Sequence, residues 1–228
     1  KEGYDIIDDV MQKSKHSVTP ETLEPAANST DAIVLDVRHQ DEFAKGHIPK
    51  SIFIGIDGDF APWVGAMIKD VKQALILVAP EDRIEETITR LSRVGFDNIL
   101  GYLDGGFEAW KKSGKEIDTV TTITPEEFAK KSKTESLNVF DVRKLSEHLS
   151  EHVIDAESTP LDELNNHLAE FKQEGNNYIH CAGGYRSMIA SSILKSRGIH
   201  NIVDISGGFG AIKETDATVS NYVCPSTL

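Results

Sequence analysis

The chain repeats itself, and the repeat limits what it can fold into. Thr19-Pro20-Glu21 returns 105 residues later as Thr124-Pro125-Glu126, and Asp36-Val37-Arg38 returns at the same offset as Asp141-Val142-Arg143. Glu42 then maps to Glu147 and His47 to His152. The offset falls to 103, aligning Arg83 with Arg186 and Gly95 with Gly198. It ends at 102, aligning Gly105-Gly106-Phe107 with Gly207-Gly208-Phe209. An ordered series of matches with small deletions marks two homologous domains. The reading is a linker or extension over residues 1–16, a first domain over 17–119 and a second over 120–228, joined near Thr119–Thr122. Units of about 100 residues are long enough to bury a core of their own.

Within each repeat, apolar runs alternate with helical patterns. Ser17-Val18-Thr19-Pro20-Glu21 reads as an N-cap followed by Pro at the first helical position. Ile33-Val34-Leu35 and Ala74-Leu75-Ile76-Leu77-Val78 are near-continuous apolar strands. Ile84, Thr87, Ile88 and Leu91 lie on one face of a helix that Gly95 stops. Ile99-Leu100 begins another strand, and Glu108-Ala109-Trp110 a helix. Phe60-Ala61-Pro62-Trp63 reads as an irregular stretch. Alternation of this kind predicts an α/β fold, with a parallel sheet flanked by helices on both faces in each domain. The reactive crevice of such sheets lies at the carboxyl ends of the strands.

One loop there is chemically loaded: His180-Cys181-Ala182-Gly183-Gly184-Tyr185-Arg186. The strand Tyr178-Ile179 runs into it. An amphipathic helix is expected to leave it, with Tyr185, Ile189 and Ile193 on one face. Glycines let backbone N–H groups turn inward as an anion-binding nest, and a helix N-terminus adds partial positive charge. With Arg186 nearby, the arrangement favours thiolate at Cys181. The repeat supplies an internal control. Cys181 aligns with Val78, and Ala182-Gly183-Gly184-Tyr185 with Ala79-Pro80-Glu81-Asp82. The first domain lacks the nucleophile and both glycines and places two carboxylates opposite a neutral loop. It is expected to keep the fold without the chemistry.

Bulk properties narrow the partners. A net charge of -13 argues against non-specific binding to nucleic acid or anionic membranes. No apolar run is long enough to span a bilayer. Two cysteines are too few for a disulfide framework, so a reducing, cytoplasmic setting is expected. Residue 1 is Lys and no signal peptide is visible, which suggests a processed product or a piece of something longer.

These residues resemble a known family. Two copies of a strand ending in Asp-Val-Arg, a later Gly-Gly-Phe, and a strand–Cys–loop–helix are similar to tandem rhodanese (sulfurtransferase) domains. The resemblance covers residues 17 to about 214. It implies that Cys181 carries a persulfide, taken from thiosulfate or a low-molecular-weight persulfide and passed to a thiophilic acceptor. Ala182, Gly183, Gly184, Tyr185 and Arg186 would form the cradle that binds the substrate. It implies no cofactor and no metal. The Cys-Ala-Gly-Gly-Tyr-Arg loop, the Cys-less first domain and the tail Tyr222-Val223-Cys224-Pro225 look similar to the C-terminal part of metallo-β-lactamase–rhodanese fusions. A fused or partner metallo-hydrolase domain is therefore an implied partner. The alternative role is a sulfur carrier or partner-binding module.

The rival chemistry is a cysteine phosphatase, which needs Cys-x5-Arg around a phosphate. The loop here is Cys-x4-Arg, a size suited to a terminal sulfur atom. His148-Leu149-Ser150-Glu151-His152 spells a zinc-protease pattern. The repeat undermines it, because His152 matches His47 and His148 replaces Phe43; a short surface helix with a structural histidine is the better reading. Asp141–Arg143 and Asp36–Arg38 recur in both halves, so they read as local ion pairs of the fold. His180 should point away from the face of Cys181 and make a structural hydrogen bond. Trp63 reads as packing, and Cys224 as an incidental tail cysteine.

Overall fold

The structure, a computed structural model, describes residue 11 and residues 16–224. Contacts divide the chain after Thr119. The first unit holds β1 (Ser17–Val18), α1 (Pro20–Thr30), β2 (Ile33–Asp36), α2 (Gln40–Lys45), β3 (Ile52–Phe53), α3 (Phe60–Met67), β4 (Leu75–Val78), α4 (Ile84–Ser92), β5 (Ile99–Leu103) and α5 (Gly106–Lys112). The second holds β6 (Thr121–Ile123), α6 (Pro125–Ser132), β7 (Asn138–Asp141), α7 (Leu145–Ser150), β8 (Glu157–Ser158), β9 (Asn177–His180), α8 (Tyr185–Ser196), β10 (Ile202–Ile205) and α9 (Gly208–Ile212). Each unit is one five-stranded sheet with every pairing parallel, in the orders β1-β5-β4-β2-β3 and β6-β10-β9-β7-β8. Matching strands occupy matching places, as the repeat requires. Most of the N-terminal extension, 1–16, and Pro225 lie outside the described residues.

Local chemistry explains the helix starts. Thr124 Oγ1 accepts from the Glu127 N–H at 3.2 Å while Glu127 accepts from the Thr124 N–H at 2.8 Å, a reciprocal cap with Pro125 in the first turn. Thr19 and Thr22 form the counterpart in the first unit. The stretch around Trp63, expected to be irregular, is the helix α3. Pro62 is tolerated there because it sits in the first turn, where an N–H has no intrahelical partner to lose.

The helix α8 differs from expectation in another way. Ser187 through Lys195 are all buried, so it is covered all round rather than amphipathic. Two of its buried serines bond back to the chain, Ser187 Oγ donating to Gly184 O at 3.1 Å and Ser192 Oγ to Ile189 O at 2.8 Å, whereas Ser191 Oγ is buried with no partner among the described residues. The cores sit in matching places too. Leu23, Ile76, Phe107 and Trp110 pack in the first unit, where Phe128, Tyr178, Phe209 and Ile212 pack in the second.

Candidate active site

β7 and β9 lie side by side with Asp141 opposite His180, so both strands end at the same level. Cys181 follows at once, buried to 1% exposure. Its Sγ accepts the Gly184 N–H at 3.1 Å. Gly184 itself has φ +98, a region where a Cβ would be strained, and α8 starts immediately after it, so a glycine is needed where the chain turns from the sulfur into the helix. The sulfur thus meets an inward-turned amide at a helix N-terminus, an arrangement that stabilises negative charge. Ala182 and Gly183 are exposed, so the loop is open on that side.

The strand ends are held by the β10–α9 turn of the same unit. The Phe209 N–H donates to Cys181 O at 2.6 Å and the Gly210 N–H to Ala182 O at 3.0 Å. Gly208 makes this approach possible: a Cβ there would lie 2.4 Å from Cys181 O, and its φ is +59. Sequence reasoning recognised Gly-Gly-Phe as a repeat but not as the clamp on the cysteine.

Arg186 is placed differently from expectation. Its Nη1 and Nη2 donate to Glu147 Oε2 and Oε1 at 2.6 and 2.9 Å. The hydrogen bonds raise the guanidinium's pKa and hold Glu147 below the usual glutamate range. Arg186 therefore ties the first turn of α8 to α7, and its charge reaches the sulfur already paired. The signal for this was the recurrence of Glu42 as Glu147, which was read only as a marker of the repeat. Arg83, the counterpart of Arg186, pairs with Asp57 and Glu86 instead.

The register corrects the alignment of Cys181. Asp36 faces Val78 across β2–β4, and Asp141 faces His180 across β7–β9. Val37 N–H donates to Val78 O as Val142 N–H donates to His180 O. Val78 therefore matches His180, and Cys181 matches Ala79. The helices still match at the sequence offset: Gly95 and Gly198 both have φ +88. The extra residue lies in the loop, which is one longer in the second unit.

Asp141 and Arg143 form the expected ion pair, at 2.6 Å, as do Asp36 and Arg38 at 2.6 Å. Burial pushes the Asp141 carboxyl up, but hydrogen bonds from His148 and Arg143 outweigh it and hold the group well below the usual range. His148 Nδ1 donates to Asp141 Oδ2 at 3.0 Å, and His152 Nδ1 to His148 O at 2.8 Å. The two rings stack 4.1 Å apart. Both Nδ1 atoms of the zinc-protease pattern are thus engaged in hydrogen bonds of the fold, and His148 is buried rather than on the surface; among the described residues no group of three side chains able to hold a metal forms. His180 makes the structural hydrogen bond, Nδ1 donating to Cys181 O at 3.3 Å. A cavity of about 240 Å³ lies beside the Glu147 clamp, lined by Arg143, Ser146, Glu147, Ser150, Glu151 and Phe209. Trp63 is half-buried on α3. Cys224 is exposed at the end of a tail anchored by a Val223–Ser150 backbone bond of 2.8 Å. Among the described residues no helix is long and apolar enough to cross a membrane.

The chain is similar to several known proteins. YrkF of Bacillus subtilis, whose name proposes a sulfur carrier protein, is 29% identical over 97 residues, 42% of this chain and 52% of YrkF. The uncharacterized protein YqhL of Bacillus subtilis is 30% identical over 88 residues, 39% of this chain and 68% of YqhL. The chain spans about half the length of YrkF. Among solved structures, thiosulfate sulfurtransferase from Pseudomonas aeruginosa aligns with 91% of this chain and 44% of its own, at 19% identity and a TM-score of 0.40. A rhodanese-like domain protein from Staphylococcus aureus aligns with 46% of this chain and 100% of its own, at 26% identity and a TM-score of 0.41. The family model for the rhodanese-like domain matches residues 19–113 and again 124–215. The chain belongs to the rhodanese-like family, with two such domains in tandem.

Proposed function

We propose that the second domain moves sulfane sulfur through a persulfide on Cys181, and that the first domain, with Ala79 in the matching place, is catalytically inactive. The observation that carries this reading is the Cys181 Sγ at the strand end, receiving the Gly184 N–H at 3.1 Å beneath an open loop. The thiolate attacks the outer sulfur of thiosulfate or of a low-molecular-weight persulfide. The donor's S–S bond breaks, and sulfite or a thiolate leaves with the bonding pair. The new terminal sulfur carries negative charge, which the amides of residues 182–186 and the start of α8 stabilise. A thiophilic acceptor then attacks that sulfur and Cys181 leaves as thiolate. This is double-displacement covalent catalysis by the chain's own residues.

A second reading has its own support. The name of YrkF favours a sulfur carrier that hands the persulfide to a protein, and a fused or partner metallo-hydrolase is the partner proposed from the loop and tail sequences. Mass spectrometry of the chain after exposure to thiosulfate or glutathione persulfide tests both readings. A gain of one sulfur on the Cys181 peptide, absent in Cys181→Ser, is expected. Cyanide or a small thiol then discharges it with turnover in the enzyme, and without turnover in the carrier. A Cys181 that never gains sulfur overturns both, and hydrolysis of an aryl phosphate that vanishes in Cys181→Ser would move the reading to a phosphatase.

A further inference from the structure

The corrected register reveals a concerted difference between the halves. Around Asp36 the first unit packs Phe43, Phe53, Ile54 and Val78, all fully buried, with the Phe43 and Phe53 rings 5.2 Å apart. The second unit places His148, Ser158, Thr159 and His180 in those positions around Asp141. Ser158, Asp141 and His180 form one row across β8, β7 and β9, since each pair is in register. The first unit shows that the fold, its Asp–Arg pair and its Gly-Gly-Phe turn need none of these polar groups.

His180 is the member of the row that reaches the nucleophile. Its side chain is fully buried, and burial favours the neutral ring over the charge that Asp141 invites. A carbonyl only accepts, so the one N–H of the neutral ring sits on Nδ1, aimed at Cys181 O at 3.3 Å with Asp141 Oδ1 at 3.9 Å. Nε2 is left buried with no partner among the described residues. A valine would avoid that cost, as Val78 does. Asp141 is itself fixed by His148 at 3.0 Å and Arg143 at 2.6 Å, and Arg143 lies over the Phe209 ring at 4.0 Å.

We propose that His180 is a positioning residue for the sulfur transfer of Cys181. Its Nδ1–H and the Phe209 N–H converge on the Cys181 carbonyl, fixing the backbone from which Sγ projects toward Gly184. Asp141, steadied by His148 and Arg143, keeps the ring in that tautomer. This rests on the sulfur-transfer reading, and the test separates the two. His180→Val installs the residue that the first domain uses, and His180→Asn restores a donor where Nδ1 stood. With thiosulfate as donor and cyanide as acceptor, His180→Val is expected to lower kcat roughly fivefold to tenfold, the net worth of one hydrogen bond, and to leave KM for thiosulfate within about twofold. His180→Asn is expected to recover most of the loss. An unchanged kcat in His180→Val, a loss confined to KM, or no recovery in His180→Asn overturns the proposal. Alkylation of Cys181 by iodoacetamide, followed on its own peptide, is measured in the same three proteins. If the wild type turns over no sulfur, the function reading fails; the alkylation rates still decide the role of His180, and equal rates in wild type and His180→Val overturn it.

Discussion

Glu147→Gln separates the two things Arg186 could be, a clamp or an anion ligand. In the structure it is a clamp: two hydrogen bonds of 2.6 and 2.9 Å onto Glu147, with side chains 16% and 34% exposed. Exposed pairs contribute about 0–1 kcal/mol, and breaking a fully buried pair costs about 3–5 kcal/mol. A forked pair at intermediate exposure should contribute about 1–2 kcal/mol. In a domain near 100 residues, that lowers Tm by roughly 5–15 °C. Calorimetry of the full chain at pH 7 should show the loss in the second domain's transition alone. The pH dependence follows from the depressed Glu147 pKa: the stabilisation is complete above the ordinary glutamate value, about 4.3, and lost as pH falls through the lower folded value. The gap between wild type and variant should therefore be constant near neutrality and close in acid. Freed from Glu147, the guanidinium becomes available to thiosulfate, so KM for that donor should fall. Equal melting at pH 7, a gap that does not narrow in acid, or a rise in KM would refute the clamp.

Gly208→Ala should destabilise the second domain by more than about 2 kcal/mol, because its Cβ would meet Cys181 O at 2.4 Å with φ at +59. Gly183→Ala is the control: a Cβ there meets nothing within 4 Å, so its unfolding midpoint in urea should stay within about 0.5 kcal/mol of wild type. Asp141→Asn should cost about 3 kcal/mol at pH 7, since it leaves the buried Arg143 opposite a neutral amide. That difference should hold above the ordinary aspartate range and fade as pH falls through the depressed Asp141 value; a variant as stable as wild type in denaturant at pH 7 would contradict it.

The repeat made the architecture readable, because each half checked the other. Strands such as Leu75–Val78, apolar at every position, and the Thr-Pro-Glu starts are local signals that tertiary context did not override. Cys181 and Gly184 were readable for the same reason, as residues only one half contains. What escaped was long-range. Arg186 meets Glu147 across 39 residues of sequence, and Phe209 meets Cys181 across a helix and a strand. No periodicity encodes such contacts. The register error had a physical source as well: in a loop of differing length, alignment by residue type drifts by one, and only the hydrogen-bond ladder fixes which residue ends the strand.

That single residue bears on how a scaffold becomes a site. In the first unit Ala79 is followed by Pro80, which has no N–H to offer, and by a tight turn over Glu81–Arg83 whose carboxylates face solvent. In the second, the longer loop presents the Gly184 amide to Sγ, and φ +98 at that glycine then carries the chain into the helix. A cysteine placed in the shorter loop would meet no such amide, because Pro80 has no N–H and the glycine of the longer loop is missing there. The polar row beneath follows the same logic. Once Asp141 is surrounded by His148, Ser158 and His180 instead of Phe43, Phe53 and Val78, apolar packing gives way to two directed hydrogen bonds, His148 to the Asp141 carboxylate and His180 to the Cys181 carbonyl, while Ser158 Oγ stays buried with no partner among the described residues. Such an exchange is costly in a buried place unless the fixed geometry is used. Cysteine, loop length and buried row differ together between two domains of one topology, and the second domain alone joins them at one strand end.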